Sequence, residues 1–169
     1  VSGPGLGYLF APWRFAYVSK AAEKASACIF CAARDGGRET LTVARGERVF
    51  ALLNRYPYTA GHVMVAPREH LGDLQALDAA TLGELMTMAQ RLLRVLGEVY
   101  KPHGYNLGFN LGEAAGAGIV DHLHLHIVPR FRGDTNFMTT NAAVRVVPED
   151  LEATWQKLTT TWEALYGAR

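Results

Sequence analysis

Three histidines alternate with aliphatic residues in the run Asp121-His122-Leu123-His124-Leu125-His126-Ile127-Val128-Pro129. Successive side chains of a β-strand point to opposite faces. A strand over 122–128 therefore puts Leu123, Leu125 and Ile127 on one side and His122, His124 and His126 on the other. The aliphatic side has a packing explanation as core. The histidine side has none, because imidazoles fill space poorly but do chemistry well near neutral pH, as nucleophiles, acids, bases or metal ligands. This segment thus demands a sheet with one face against apolar elements and another that carries a site. Pro129 is expected to stop the strand, since it has no N–H for the ladder.

The rest of the chain supplies the other elements. Leu41 to Ala44 and Val49 to Asn54 read as a hairpin turning at Arg45-Gly46-Glu47. Tyr56 to Gly61 is a turn, His62 to Ala66 a strand ending at Pro67, and Tyr105 to Leu111 a further strand. A long helix is expected over 78–100 with Asp78 as its N-cap. Leu82, Leu85, Met86, Ala89, Leu92, Leu93, Leu96 and Val99 recur at helical spacing and predict its buried face, with Met86 and Met88 as core filler. Pro102-His103-Gly104 ends the helix, leaving His103 in a solvated turn. Pro148 at the first helical position predicts a second helix over about 149–166. Residues 32–40, 112–121 and 132–146 read as loop or irregular chain. Residues 1–27 read as an irregular apolar arm (Leu6, Tyr8, Leu9, Phe10, Trp13, Phe15, Tyr17) that needs a covering surface and is expected to end in a short helix at 20–27. The order predicts an α+β domain: an antiparallel sheet of about five strands, one long central helix and a C-terminal helix. All 169 residues read as one domain, with an arm at 1–27, a catalytic core at 28–130 and a tail and helix at 131–169.

Composition narrows the function. A net charge of +1 argues against a duplex nucleic-acid binder, while a small anion needs only a local site. No apolar run of about eighteen residues predicts a membrane span, and the arm, broken by Pro12, Trp13 and Arg14, does not read as a signal peptide. The two cysteines, Cys28 and Cys31, are too few for a secreted disulfide scaffold and predict a reducing, cytoplasmic setting. Alone, Cys28-x-x-Cys31 fits redox chemistry, metal binding or chance. The loop from Asn110 to Gly118 is rich in small residues, whose amides can approach an anion closely. It runs straight into the histidine strand, so a phosphate on it would sit beside the imidazoles.

Taken together, several segments resemble the histidine-triad (HIT) superfamily: the 122–128 run, Cys28-Ile29-Phe30-Cys31, Asn54-Arg55-Tyr56-Pro57, Gly61-His62-Val63-Met64-Val65, Pro67-Arg68-Glu69-His70 and the 110–130 loop and strand. Ala11-Pro12-Trp13-Arg14, Gly116-Ala117-Gly118-Ile119 and the tail from Gly133 to Met138 are most similar to its bacterial diadenosine-tetraphosphate phosphorylase and dinucleoside polyphosphate hydrolase branch. The resemblance implies a HIT-like fold, a nucleotide substrate, and nucleotidyl transfer through a covalent intermediate on His124. It implies that His126 and His62 flank the phosphate site, and that Asn110 and the amides of Gly116 and Gly118 bind phosphate oxygens. Asn54 falls at the ribose position. Phe30 and Leu52, with Ile29, fall at base-pocket positions, where ordinary core is an equal reading. A structural zinc ion on Cys28, Cys31, His70 and His122 is implied, and so is a homodimer formed through the helix and adjacent strand. The polar Gln or Ser step that many relatives carry before the triad is replaced here by Gly116-Ala117-Gly118-Ile119-Val120-Asp121, so leaving-group handling does not carry over. Dinucleoside polyphosphate hydrolysis, nucleoside phosphoramidate hydrolysis, a nucleotide-binding module without turnover and a purely metal-binding protein remain alternatives.

Overall fold

The computed structural model describes residues 28–134 and 149–167. The arm at 1–27 with its helix at 20–27, most of the 132–146 stretch and Pro148 lie outside the described residues. Five strands form one antiparallel sheet: β1 (Thr42–Arg45), β2 (Val49–Leu53), β3 (Val63–Pro67), β4 (Gly104–Phe109) and β5 (Leu125–Arg130), in the spatial order β1-β2-β3-β5-β4. A short helix α1 (Ile29–Ala33) precedes β1, the long α2 (Ala79–Tyr100) joins β3 to β4, and α3 (Leu151–Tyr166) closes the described chain. This is the α+β architecture that the alternation of elements predicts.

Strand periodicity sorts the core into two layers. Ala51, Leu53, Val63, Val65, Leu125 and Ile127 face α2 and α3 in the main core. Phe50, Leu52, Met64 and Ala66 face the other way and form a smaller cluster with Phe30 and Ala33 of α1. The histidine run lies on this second side, its rings against Phe30. The strand expected over 122–128 starts only at Leu125 and runs through Pro129, which pairs with Tyr105, to Arg130. His122 and Leu123 leave the ladder because other partners take them: Leu123 N–H donates to Leu71 O at 2.7 Å, and His122 Nε2 lies 2.9 Å from Pro67 O. Gly72 permits this close approach, since a Cβ there would fall 2.5 Å from Val120 O.

Asp78 caps α2 by accepting from Ala80 N–H and Thr81 N–H, each at 2.9 Å. Thr81, Leu85, Met88, Ala89, Leu92, Val95 and Leu96 form its buried face. Leu82 and Met86 are not core: they are 41% and 45% exposed. Leu82 stands about 60–80° and Met86 about 100–120° of helical turn round from the stripe centred on Leu85 and Leu92. Met88 and Val95 occupy the inward positions instead. Leu92 is wholly buried, so Leu92→Ala is expected to cost about 2–5 kcal/mol through lost burial and a residual cavity. An unchanged urea midpoint would contradict that packing.

The second helix starts at Leu151, two residues later than expected, because Asp150 rather than Pro148 defines its start; Asp150 Oδ1 accepts from Ala153 N–H at 2.8 Å. It packs on α2 and beside β1, where Trp155 Nε1–H donates to Thr42 O at 2.9 Å. Just before it, Glu149 accepts hydrogen bonds from Lys157, Tyr100 and Thr154. Partial burial works against ionisation, but these donors outweigh it and hold the carboxyl below the ordinary glutamate value of 4.5. A depressed folded-state pKa stabilises above the unfolded value, and that contribution is lost as pH falls through the folded one. Thermal unfolding followed from pH 6 down to about pH 3 is therefore expected to show a steeper fall for the parent than for Glu149→Gln. Parallel curves would remove Glu149 from the acid response. No helix among the described residues is long and apolar enough to cross a membrane.

Candidate active site and metal site

Pairing of β3 with β5 sets Met64 opposite His126 and Val63 opposite Ile127, which brings His62, just before β3, beside His126. Gly61 has φ +78°, a left-handed conformation, and a Cβ there would come within 2.9 Å of both Leu96 and Tyr100, so glycine is required one residue before His62. His62 is buried, and Tyr58 covers its ring at 4.7 Å. Tyr58 N–H donates to His62 Nδ1 at 3.2 Å, and His62 Nε2 lies 3.0 Å from His126 Nδ1.

His124 is 7% exposed, with the Phe30 ring at 4.7 Å on one side and the edge of His126 at 4.9 Å on another. Its Nδ1–H donates to His122 O at 2.8 Å. A carbonyl only accepts, so the proton sits on Nδ1 and the Nε2 lone pair is left bare. Burial pushes the His124 pKa below the usual imidazole value, and the bond to His122 O opposes that shift in part. The neutral ring is thus favoured. A buried, neutral imidazole held in one tautomer is suited to nucleophilic attack.

A second cluster lies next to it. One donor atom from each of Cys28, Cys31, His70 and His122 falls within 4.8 Å of every other. Cys28 Sγ is 3.3 Å and Cys31 Sγ 3.7 Å from His122 Nδ1, and Cys31 Sγ is 3.3 Å from His70 Nδ1. Tetrahedral zinc at ordinary Zn–S and Zn–N lengths separates its ligand atoms by roughly 3.5 Å. The cluster fits that geometry and that donor set. His122 Nε2–H donates to Pro67 O, which turns the Nδ1 lone pair towards the two sulfurs, as an outer-shell carbonyl does for a metal-bound imidazole. Burial, opposed by that carbonyl, lowers the His122 pKa and keeps the lone pair available. Neither Glu69 nor Asp121 joins the group.

The remaining expected residues are distributed unevenly. Asn110 and His126 come together on the wall of a cleft of about 220 Å³, with Tyr58, Asn106, Phe109 and Val128. Asn54 follows β2, where its Oδ1 accepts from Tyr56 N–H at 2.9 Å and its N–H donates to His62 O at 3.0 Å. Phe30 and Leu52 are 1% and 4% exposed within the small cluster, while Ile29 is 54% exposed. The Gly116 amide donates to Glu113 O at 2.9 Å inside a 3-10 turn, whereas Gly118 is exposed. A larger open depression of about 530 Å³, between Arg38, Leu41, Arg55 and Glu152, contains no imidazole or thiol, and Arg38 there is paired with Glu152 at 2.7 Å. Sequence reasoning missed Tyr58, read only as turn, and the carbonyls of Pro67 and His122. Backbone partners leave no residue-type signal. It also missed α1, whose start at Cys28 spaces the two thiols by one helical turn.

Residues 37–133 match the HIT domain family. The chain is 45% identical over 124 residues to a Mycobacterium tuberculosis AP-4-A phosphorylase, an alignment that takes in 73% of this chain and 64% of that protein, so it spans under two thirds of that relative. It superposes on a zinc-bound histidine triad family protein from Mycobacterium smegmatis with a TM-score of 0.67 at 31% identity, covering 85% of this chain and 98% of the other. A hypothetical histidine triad nucleotide-binding protein from Sulfolobus tokodaii gives a TM-score of 0.67 at 28% identity, over 83% and 97% of the two chains.

Proposed function

Since this chain belongs to the HIT domain family, we propose that it is an enzyme that transfers nucleotidyl groups from dinucleoside polyphosphates, with His124 as nucleophile. The observation that carries the reading is the Nδ1–H bond from His124 to His122 O, which leaves Nε2 bare. Nε2 attacks the α-phosphorus of diadenosine tetraphosphate and an N–P bond forms. The bond from that phosphorus to the bridging oxygen breaks, and ATP leaves with its electrons. Inorganic phosphate then attacks the adenylyl group, the N–P bond breaks, and ADP is released with the imidazole restored. Splitting one displacement into two lowers each barrier. Phosphoryl transfer asks the protein mainly for positioning and charge stabilisation, which His126, Asn110 and the Gly118 end of the loop are suited to supply. The similarity to AP-4-A phosphorylase favours phosphate over water as the second acceptor.

Zinc on Cys28, Cys31, His70 and His122 would cross-link α1, the segment after β3 and the histidine run. With four protein ligands it has no position for substrate and is structural. The reading includes a cytoplasmic homodimer: β4 is an edge strand with Leu107 40% exposed, and Leu82 and Met86 add exposed apolar surface on α2. The deciding experiment incubates the protein with diadenosine tetraphosphate with and without inorganic phosphate. ADP plus ATP, formed only with phosphate, is the expected result. AMP plus ATP without phosphate would instead make it a hydrolase. No products under either condition would end the dinucleotide reading and turn attention to adenosine phosphoramidate.

A further inference from the structure

We propose that His62 is a positioning residue that fixes the tautomer of His126 through a relay beginning at the Tyr58 amide, and that it does not bind substrate phosphate itself. A backbone N–H can only donate, so the nitrogen it meets, His62 Nδ1 at 3.2 Å, must be the unprotonated one. A ring that accepts at Nδ1 carries its proton on Nε2. That Nε2–H lies 3.0 Å from His126 Nδ1 and donates to it. His126 is thereby made an acceptor at Nδ1 and carries its own proton on Nε2. Both nitrogens of His62 are consumed inside the protein, and the residue is 1% exposed. His126 is half-buried and lines the cleft beside Asn110.

The relay has a chemical consequence. At His124 a carbonyl holds the proton on Nδ1 and bares Nε2. At His126 an amide, acting through His62, holds the proton on Nε2. Two neighbouring imidazoles, 4.9 Å apart, therefore present opposite atoms: a lone pair on one and an N–H donor on the other. Attack on a phosphoryl group needs this combination, a nucleophile for phosphorus and a donor for an oxygen that gains charge. Hydrogen bonds and ring contacts brace the frame around the relay. Thr59 Oγ1–H donates to Pro129 O at 2.8 Å, which clamps the turn bearing the Tyr58 amide to the strand bearing His126. His62 N–H donates to Thr59 O at 3.2 Å within the same turn. The Tyr58 ring lies over His62 and nearly parallel to His126, at an angle of 19°.

The tautomers follow from hydrogen bonding alone, while their catalytic consequence rests on the nucleotidyl-transfer reading. The test therefore has two arms. In the first, ring nitrogens are observed by NMR in the substrate-free full chain labelled with ¹⁵N-histidine, for the parent, His62→Gln and His62→Phe, with fold and zinc content checked for each. The parent is expected to show His126 protonated at Nε2. Glutamine keeps an N–H donor near the former Nε2 and should preserve that state. Phenylalanine has no donor and should release His126 into a tautomer mixture. In the second arm, His62→Phe is expected to lower kcat by about 10- to 100-fold with KM little changed, and His62→Gln to lose less. A parent His126 protonated at Nδ1, or a tautomer indifferent to His62→Phe, would overturn the relay. A raised KM with kcat preserved in both variants would also overturn it, because it would make His62 a substrate ligand. Absence of turnover in the parent counts against the nucleotidyl reading alone, since the NMR arm still decides the relay.

Discussion

His124→Ala is expected to lower turnover of diadenosine tetraphosphate by at least about 10⁴-fold, an increase of about 5.5 kcal/mol in the barrier. The size follows from what is removed. Without Nε2 there is no covalent intermediate, and a single displacement by phosphate or water has only binding and positioning left to assist it. His124 is nearly buried beside Phe30, so alanine also leaves a small void. His124→Asn serves as the paired variant, because its amide can still donate to His122 O while offering no nucleophile. Both should retain zinc, since His124 is outside the Cys28, Cys31, His70 and His122 group. Turnover within tenfold of the parent in either variant would remove His124 from the nucleophile's role. Zinc lost from His124→Ala would instead place His124 among the metal's ligands, as a purely metal-binding protein predicts.

The second large effect is expected at the metal. Cys31→Ser, or exhaustive chelation of the parent, should reduce zinc from one per chain towards none and lower Tm by on the order of 10 °C or more. Free energy of binding at a site that forms only in the fold appears as folding free energy. Each kcal/mol shifts Tm by roughly 2–4 °C in a domain near this size. The ligands should rank by burial. His122 is fully buried and also bonded to Pro67 O, so His122→Ala should cost more than His70→Ala, whose side chain is exposed. Atomic emission for zinc and calorimetry for Tm measure both. A Cys31→Ser protein with full zinc and an unmoved Tm would mean that the metal is held elsewhere and that these four donors are only neighbours.

Much of this molecule is legible in short stretches of chain, because local backbone geometry dictates them. The two-residue period of a strand separates Leu125 and Ile127 from His124 and His126, and the two sets do face opposite layers. Asp78 before a helical run predicts the cap it makes. The three histidines stand out as candidates for chemistry for the same reason, since an imidazole in alternation has few structural uses. Contacts across the fold decided the rest. The apolar period of α2 spans a wide arc, and only the position of the sheet selected Met88 and Val95 over Leu82 and Met86. The strand begins at Leu125 because the carbonyls of Leu71 and Pro67, far back in the chain, take Leu123 and His122 out of the ladder. Cys28 and His122 meet across 94 positions of sequence. Most of all, in the mechanism proposed here three histidines that look alike in sequence take three roles, as metal ligand, nucleophile and donor. A ring nitrogen's role depends on whether a carbonyl or an N–H faces it, and backbone groups of distant segments carry no signature in residue type.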